Sequence, residues 1–241
     1  MRLLIAEGGI FMSRRPRLFA AGVPYHVIQR GNNRNPIFLS DDDYLFFLDV
    51  LREAKIKHPC LIYSYCLMPN HFHLLIEPQE KENVSLFMKL VGAKYVRYFN
   101  RFYQRSGTLW EGRFRSSLID RETYFIVCSC YIEMNPVRAG IVSGPGLYPW
   151  SSYRIKASGE KSHVLDFDSW YNSIGSNPEE RQYNYHKFFQ NSITEEKTQL
   201  IRKMTNKNGL IGSISFKKDM ETLLNKELIF AEPGRPKSQK K

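Results

Sequence analysis

The hydrophobic pattern of this chain predicts short strands interleaved with amphipathic helices. Residues 24–29 (PYHVIQ) have strand composition, and the RGNNRN that follows has that of a polar, basic turn. Ser40, Asp41, Asp42 and Asp43 form an N-cap cluster opening a helix, YLFFLDVLREAKIK, whose apolar residues recur at helical spacing until Pro59. Strands are expected at 60–67 and 71–76, joined by a tight Met68-Pro69-Asn70 corner. A second helix is expected from Asn83 to about Tyr103. GTLWEGRFRSSLI then reads as a strand or hairpin, and a third helix, RETYFIVCSCYIEM, is capped by Asp120 and ended by Asn135-Pro136. The order strand, helix, strand, strand, helix, strand, helix favours an α+β sandwich with an antiparallel or mixed sheet and helices on one face.

After Arg154 the pattern weakens. KASGEKSH resembles a linker, and 166–230 is polar with scattered helical periodicity. The expected organisation is an N-terminal extension (1–13, disordered), a catalytic domain (14–155), a helical C-terminal region (156–230) that is a candidate DNA-binding accessory, and a basic disordered tail (231–241). Gly234-Arg235-Pro236 in that tail resembles the centre of a minor-groove arm, although a solvated tail is the commoner reading. Met12 offers a more sensible start than Met1, whose following residues make a poor signal peptide.

Charge narrows the partner. Lys and Arg exceed Asp and Glu by 11, which favours an anionic partner; nucleic acid fits better than a membrane surface. No apolar run approaches the roughly 18 residues of a membrane span. Cys60, Cys66, Cys128 and Cys130 match no zinc spacing and read as buried thiols of a reducing compartment, so a cytoplasmic, nucleoid-associated location is expected. The chain has no phosphate-binding glycine loop, so no nucleotide cofactor is expected.

The candidate chemistry starts at His71 and His73. One residue apart on a strand, they share a face, and Phe72 points to the other. Two imidazoles are half a metal site. Tyr131 and Asn135 stand four apart on the third predicted helix and share its face. Together these residues suit attack by a phenol on a DNA phosphodiester. A divalent metal, Mg²⁺ or Mn²⁺, would be held by His71 and His73, with Asn135 supplying an oxygen. Tyr131 is the first choice of nucleophile, with Tyr124, Tyr95 and Tyr98 as rivals by residue type.

Four stretches, YHVIQRGNNR, YCLMPNHFHLLIEP, SGTLWEGRFRSSLI and YIEMNPVRAGIV followed by YPWSSY, closely resemble the REP-associated tyrosine transposases within the single-tyrosine HUH transposases of bacterial insertion sequences. The resemblance spans about residues 14–155. It implies a ferredoxin-like (RRM-like) sheet, the HUH endonuclease fold, with the histidines on a central strand. It makes His71 and His73 metal ligands, Asn135 the third contact and Tyr131 the nucleophile. It also implies a single-stranded, hairpin-bearing DNA substrate, cut and rejoined through a 5′-phosphotyrosine. The chain is expected to act as a monomer or homodimer. DNA contacts are expected from Arg30, Arg34, Lys94, Arg97, Arg101, Arg113, Arg115 and Arg138, with Arg113 and Arg115 alternating on one strand face. The alternatives are a domesticated, non-catalytic hairpin DNA or RNA binder and a phosphoesterase that uses water.

Overall fold

A computed structural model of the chain describes residues 19–191 and 194–228. The expected N-terminal extension, residues 229–241 and the Gly234-Arg235-Pro236 motif lie outside the described residues. Strand β1 (Tyr25–Arg30) leads through the RGNNR turn to helix α1 (Asp41–Lys57). Strands β2 (Cys60–Met68) and β3 (His71–Pro78) follow as a hairpin, then helix α2 (Asn83–Phe102) and strand β4 (Arg115–Ile119). The sheet order is β2-β3-β1-β4, with each pairing antiparallel, the ferredoxin-like arrangement that the βαββαβ order predicts. The histidine strand β3 is therefore interior, paired on both edges.

Local chemistry explains the boundaries. The Asp43 carboxylate accepts from the backbone N–H of Leu39 at 2.7 Å and Ser40 at 3.2 Å, which closes the start of α1. Gly31 N–H donates to Asn70 O at 2.9 Å, clamping the RGNNR turn onto the β2–β3 corner. A Cβ at Gly31 would lie 2.3 Å from Asn35 O, so only glycine allows that approach.

The sheet separates two cores. On one side Tyr25, Val27, Phe72, Leu74 and Ile76 pack against Phe47 and Leu51 of α1 and Phe87 and Val91 of α2. On the other, Cys66, Met68 and Leu75 pack against helix α3 (Phe125–Glu133). Helices therefore cover both faces, not one. Alternation along β3 sends Phe72 into the first core and leaves His71 and His73 on the α3 side.

The third predicted helix differs in its ends. Asp120 does not cap it: α3 begins at Phe125 with Tyr124 at the N-cap position, and Asp120 instead accepts from Glu122 N and Thr123 Oγ1 in the turn ahead. Nor does Asn135-Pro136 end helical structure. After Met134 a short helix α4 (Asn135–Arg138) continues, with Pro136 in its first turn, where no N–H is needed.

The segment after 155 is built into the fold. Helix α5 (Tyr153–Ser158) runs into the start of KASGEKSH, so that stretch is not wholly a linker. Asp166 accepts from Ile62 N at 2.7 Å and pairs with Lys55. Helices α6 (Ser169–Ser173) and α7 (Pro178–Asn191) pack beside α5, and helix α8 (Glu195–Lys207) lies against β4 and β1. Strand β5 (Leu210–Ile211) then extends the sheet, parallel to β4, and helix α9 (Ile214–Leu224) closes the described chain. Ser213, the N-cap of α9, donates to Asp120 through its N–H and its hydroxyl. The four cysteines are buried and form no disulfide. Among the described residues no helix is long and apolar enough to cross a membrane.

Candidate active site

A cavity of about 350 Å³ opens on the α3 side of the sheet, lined by His71, His73, Tyr131, Asn135, Arg30 and Arg138. It is completed by His26 of β1 and by Arg202, Thr205 and Asn206 of α8. His71 and His73 have ring centroids 5.0 Å apart, and the Tyr131 ring lies 6.0 Å from that of His73. The phenol-bearing helix and the imidazole-bearing strand therefore meet within one chain.

Two of the three predicted donors, His71 and Asn135, have a fixed orientation. Asn70 Nδ2 donates to Arg34 O at 3.1 Å, which turns Asn70 Oδ1 toward His71 Nδ1, 2.6 Å away. An amide oxygen can only accept, so His71 carries its proton on Nδ1 and keeps the Nε2 lone pair for a ligand. Asn135 Nδ2 donates to Tyr131 O at 3.2 Å and Ile132 O at 3.0 Å, leaving Oδ1 as the atom that could face a cation. Burial holds all three imidazoles neutral. The His71 pKa falls to about 4, with help from Arg30; that of His26 falls to about 3, with help from Arg138; and that of His73 falls well below its ordinary value. Two neutral imidazole nitrogens and an amide oxygen fit a first-row or Mg²⁺-like cation that keeps open positions for phosphate oxygens. Among the described residues no cluster of three His, Cys, Asp or Glu side chains forms a fuller site.

Burial raises the Tyr131 pKa, whereas the charge of Arg138 and a hydrogen bond and charge from Arg202 oppose it. The Arg138 guanidinium stands 4.2 Å over the Tyr131 ring and donates to Tyr131 O at 2.7 Å. Its Nε and Nη1 are buried with no protein partner. Donors of that kind, beside a phenol, are suited to an incoming phosphate oxygen.

The other expected DNA contacts divide. Arg30, Arg113 and Arg115 line an adjoining hollow with Glu111, and Arg115 also bonds Asn206. Arg113 precedes β4 rather than alternating with Arg115 along it. Arg34 is exposed in the RGNNR turn. Lys94, Arg97 and Arg101 lie on α2, across the sheet from the histidines, and Lys94 is paired with Glu53. Of the rival tyrosines, Tyr95 donates to Ile37 O and Tyr98 to Asp43 on that far side, and Tyr124 is packed at the start of α3. Trp110 and Phe114 fill the α2-side core, the former donating to Gly92 O.

His26 and the α8 residues escaped the sequence reading. Period-two alternation along YHVIQR places His26, Ile28 and Arg30 on one face, and that signal could have found His26. Nothing comparable points to α8, which is distant in sequence and mostly polar.

The buried imidazoles carry a pH signature. Unfolded histidines take up protons below about pH 6.5, but folded His71 resists until about pH 4 and His26 until about pH 3. The unfolded state then binds more protons, so stability is lost as pH falls through this window, by up to about 2 kcal/mol per imidazole at pH 5. The Tm of chelated protein should therefore drop from pH 7 to 4.5, and less steeply in His71→Ala; parallel curves would contradict this.

Known proteins similar to this chain in sequence or fold are transposases. Over residues 20–135, just under half of the chain, the sequence matches the family model of the IS200-like transposases. Within it the likeness is to the REP-associated tyrosine transposases. A Haemophilus influenzae protein assigned to that group is 26% identical over 164 residues, 62% of this chain and 90% of its own length. The solved structure of a REP-associated tyrosine transposase bound to a REP hairpin shares the fold, with a TM-score of 0.51 and 19% identity over 66% of this chain and 96% of that one.

Proposed function

We propose that this chain is a metal-dependent single-stranded DNA transposase or nickase that cleaves and rejoins DNA beside hairpin repeats. The observation that carries this reading is the meeting of Tyr131, His71, His73 and Asn135 in one cavity of one chain. The REP hairpin held by the solved relative supports a hairpin substrate here.

Tyr131 Oη attacks the scissile phosphorus. A bond forms between Oη and phosphorus, the bond from phosphorus to the 3′ oxygen breaks, and the strand leaves with a free 3′ hydroxyl. The phenolic proton passes to water, and the departing 3′ oxygen takes up a proton from water. Rejoining reverses the step from a 3′ hydroxyl, so no nucleotide is spent. His71 and His73, with Asn135 Oδ1, would hold Mg²⁺ or Mn²⁺, which would supply polarisation of the phosphate and charge stabilisation for the departing oxygen. Arg138 and Arg202 favour the phenolate, and Arg138 binds a non-bridging oxygen. Arg30, Arg113 and Arg115 lead the strand to the cavity. Arg34, and Lys94, Arg97 and Arg101 on the far side of the sheet, are assigned to contacts with the hairpin away from the cavity. Residues 156–230 serve this DNA-binding surface through α8. The work is done on chromosomal DNA in the cytoplasm.

The test incubates the protein with single-stranded hairpins taken from DNA flanking its gene, with Mn²⁺ or Mg²⁺. A denaturant-resistant protein–DNA adduct, lost on adding EDTA, is the expected result. Cleavage without adduct would favour a water-using phosphoesterase, and chelator-insensitive binding without cleavage a non-catalytic hairpin binder; either outcome overturns the proposal. In the same assay Arg138→Ala should slow adduct formation on the order of a hundredfold and move the pH–rate profile to higher pH, as a stabiliser of developing negative charge is lost. An unshifted profile would remove Arg138 from this role.

A further inference from the structure

Behind His73 runs a buried chain of hydrogen bonds that links β3, β1, α8 and β4. His73 Nδ1 lies 2.8 Å from His26 Nε2, with the two rings only 12° from parallel. His26 Nδ1 lies 2.8 Å from Thr205 Oγ1, 179 residues further along the chain. Thr205 Oγ1 lies 3.1 Å from Ser117 Oγ. His73, His26, Thr205 and Ser117 are all nearly inaccessible to solvent.

With both imidazoles neutral, such a chain has two directions. In one, Ser117 donates to Thr205, Thr205 to His26, and His26 to His73. His73 then accepts at Nδ1, carries its proton on Nε2, and has no lone pair facing the cavity. In the other, His73 donates from Nδ1 to His26, His26 donates from Nδ1 to Thr205, and Thr205 donates to Ser117. Only this second direction frees Nε2 of His73. Asn70 fixes His71 by an acceptor that cannot donate. His73 has no such fixed partner, so its tautomer depends on a hydroxyl supplied from α8.

We infer that His26 and Thr205 are positioning residues that hold His73 in its cation-binding tautomer, so that helix α8 completes the metal site from behind. This rests on the proposed role of His71 and His73 as ligands. Outer partners of ligating histidines commonly govern affinity in this way.

The test measures Mn²⁺ binding to the full chain by titration calorimetry, without DNA. Thr205→Val keeps the shape but removes both acceptor and donor, and should weaken Mn²⁺ binding about 10- to 100-fold. Thr205→Ser restores the hydroxyl and should stay within about threefold of wild type. His26→Phe should match Thr205→Val, and His26→Gln, which can accept from His73, should recover most of the affinity. Should His26→Phe fail to fold, the near-isosteric Thr205 pair decides. Intact binding in Thr205→Val, alongside lost binding in His73→Ala, overturns the relay alone. Equal weakening in Thr205→Val and Thr205→Ser marks a packing role and also overturns it. Wild-type protein whose Mn²⁺ binding is absent or ignores His73→Ala overturns the metal reading and the relay with it.

Discussion

Tyr131→Phe should abolish the covalent protein–DNA adduct, a fall on the order of a thousandfold or more, while hairpin binding stays close to wild type. Phenylalanine keeps the ring that stands edge-on to His26 and His73 and lies beneath Arg138, so the cavity keeps its shape. What disappears is the oxygen that would bond phosphorus. No other tyrosine is placed to replace it. Tyr124 is buried at the start of α3, seven residues earlier, and does not line the cavity. Tyr95 and Tyr98 donate to Ile37 O and Asp43 across the sheet. Phenylalanine at any of these three should therefore leave adduct yield unchanged, apart from lost stability. Radiolabelled hairpin on a denaturing gel reads both results, and an adduct that persists in Tyr131→Phe would remove the residue from the mechanism.

The site was half legible in the sequence, for a physical reason. His71 and His73 announce themselves because a strand's period of two puts neighbouring odd positions on one face, and a short hairpin fixes that strand's limits. Tyr131 and Asn135 are visible because their spacing survives the break at Met134: the Asn135 amide bonds back to Tyr131 O across it. The rest of the cavity depends on contacts made far along the chain. His26 sits within PYHVIQ, where a histidine among apolar residues passes for an ordinary half-buried side chain. Its role emerges only when His73, 47 residues on, and Thr205 are brought beside it. Helix α8 buries Thr198 and Thr205 alongside Ile201 and Met204, so half of its inward face is polar. A hydrophobic pattern cannot report a face built that way. Lys156 is a sharper case. In KASGEKSH it has the composition of a linker, yet it is almost wholly buried and paired with Glu133.

That pair carries the second large effect. Glu133, fully buried, ends α3 two residues after Tyr131. Its Oε1 accepts from Lys156 Nζ at 2.9 Å, Ser64 Oγ at 3.1 Å and Ser152 Oγ at 2.5 Å. Its Oε2 accepts from Tyr185 Oη at 2.6 Å, and Lys156 also donates to Ser129 Oγ. One carboxylate thus ties β2, α3, α5 and α7 together. Lys156→Met removes the positive charge and leaves the negative one buried, which should cost about 3–5 kcal/mol. At roughly 2–4 °C per kcal/mol for a chain of this size, the Tm should fall by about 6–20 °C. Glu133→Gln in the same background removes the stranded charge, so the double variant should be more stable than Lys156→Met alone, a coupling that a double-mutant cycle measures directly. If instead Lys156→Met costs less than about 1 kcal/mol, in the range of an exposed pair, the network is not what anchors α3. Because Tyr131 rides on the helix that Glu133 pins to β2, the strand beside the histidines, Lys156→Met should also lose adduct-forming activity at a lower temperature than wild type. In the double variant that loss should shift back upward along with the Tm.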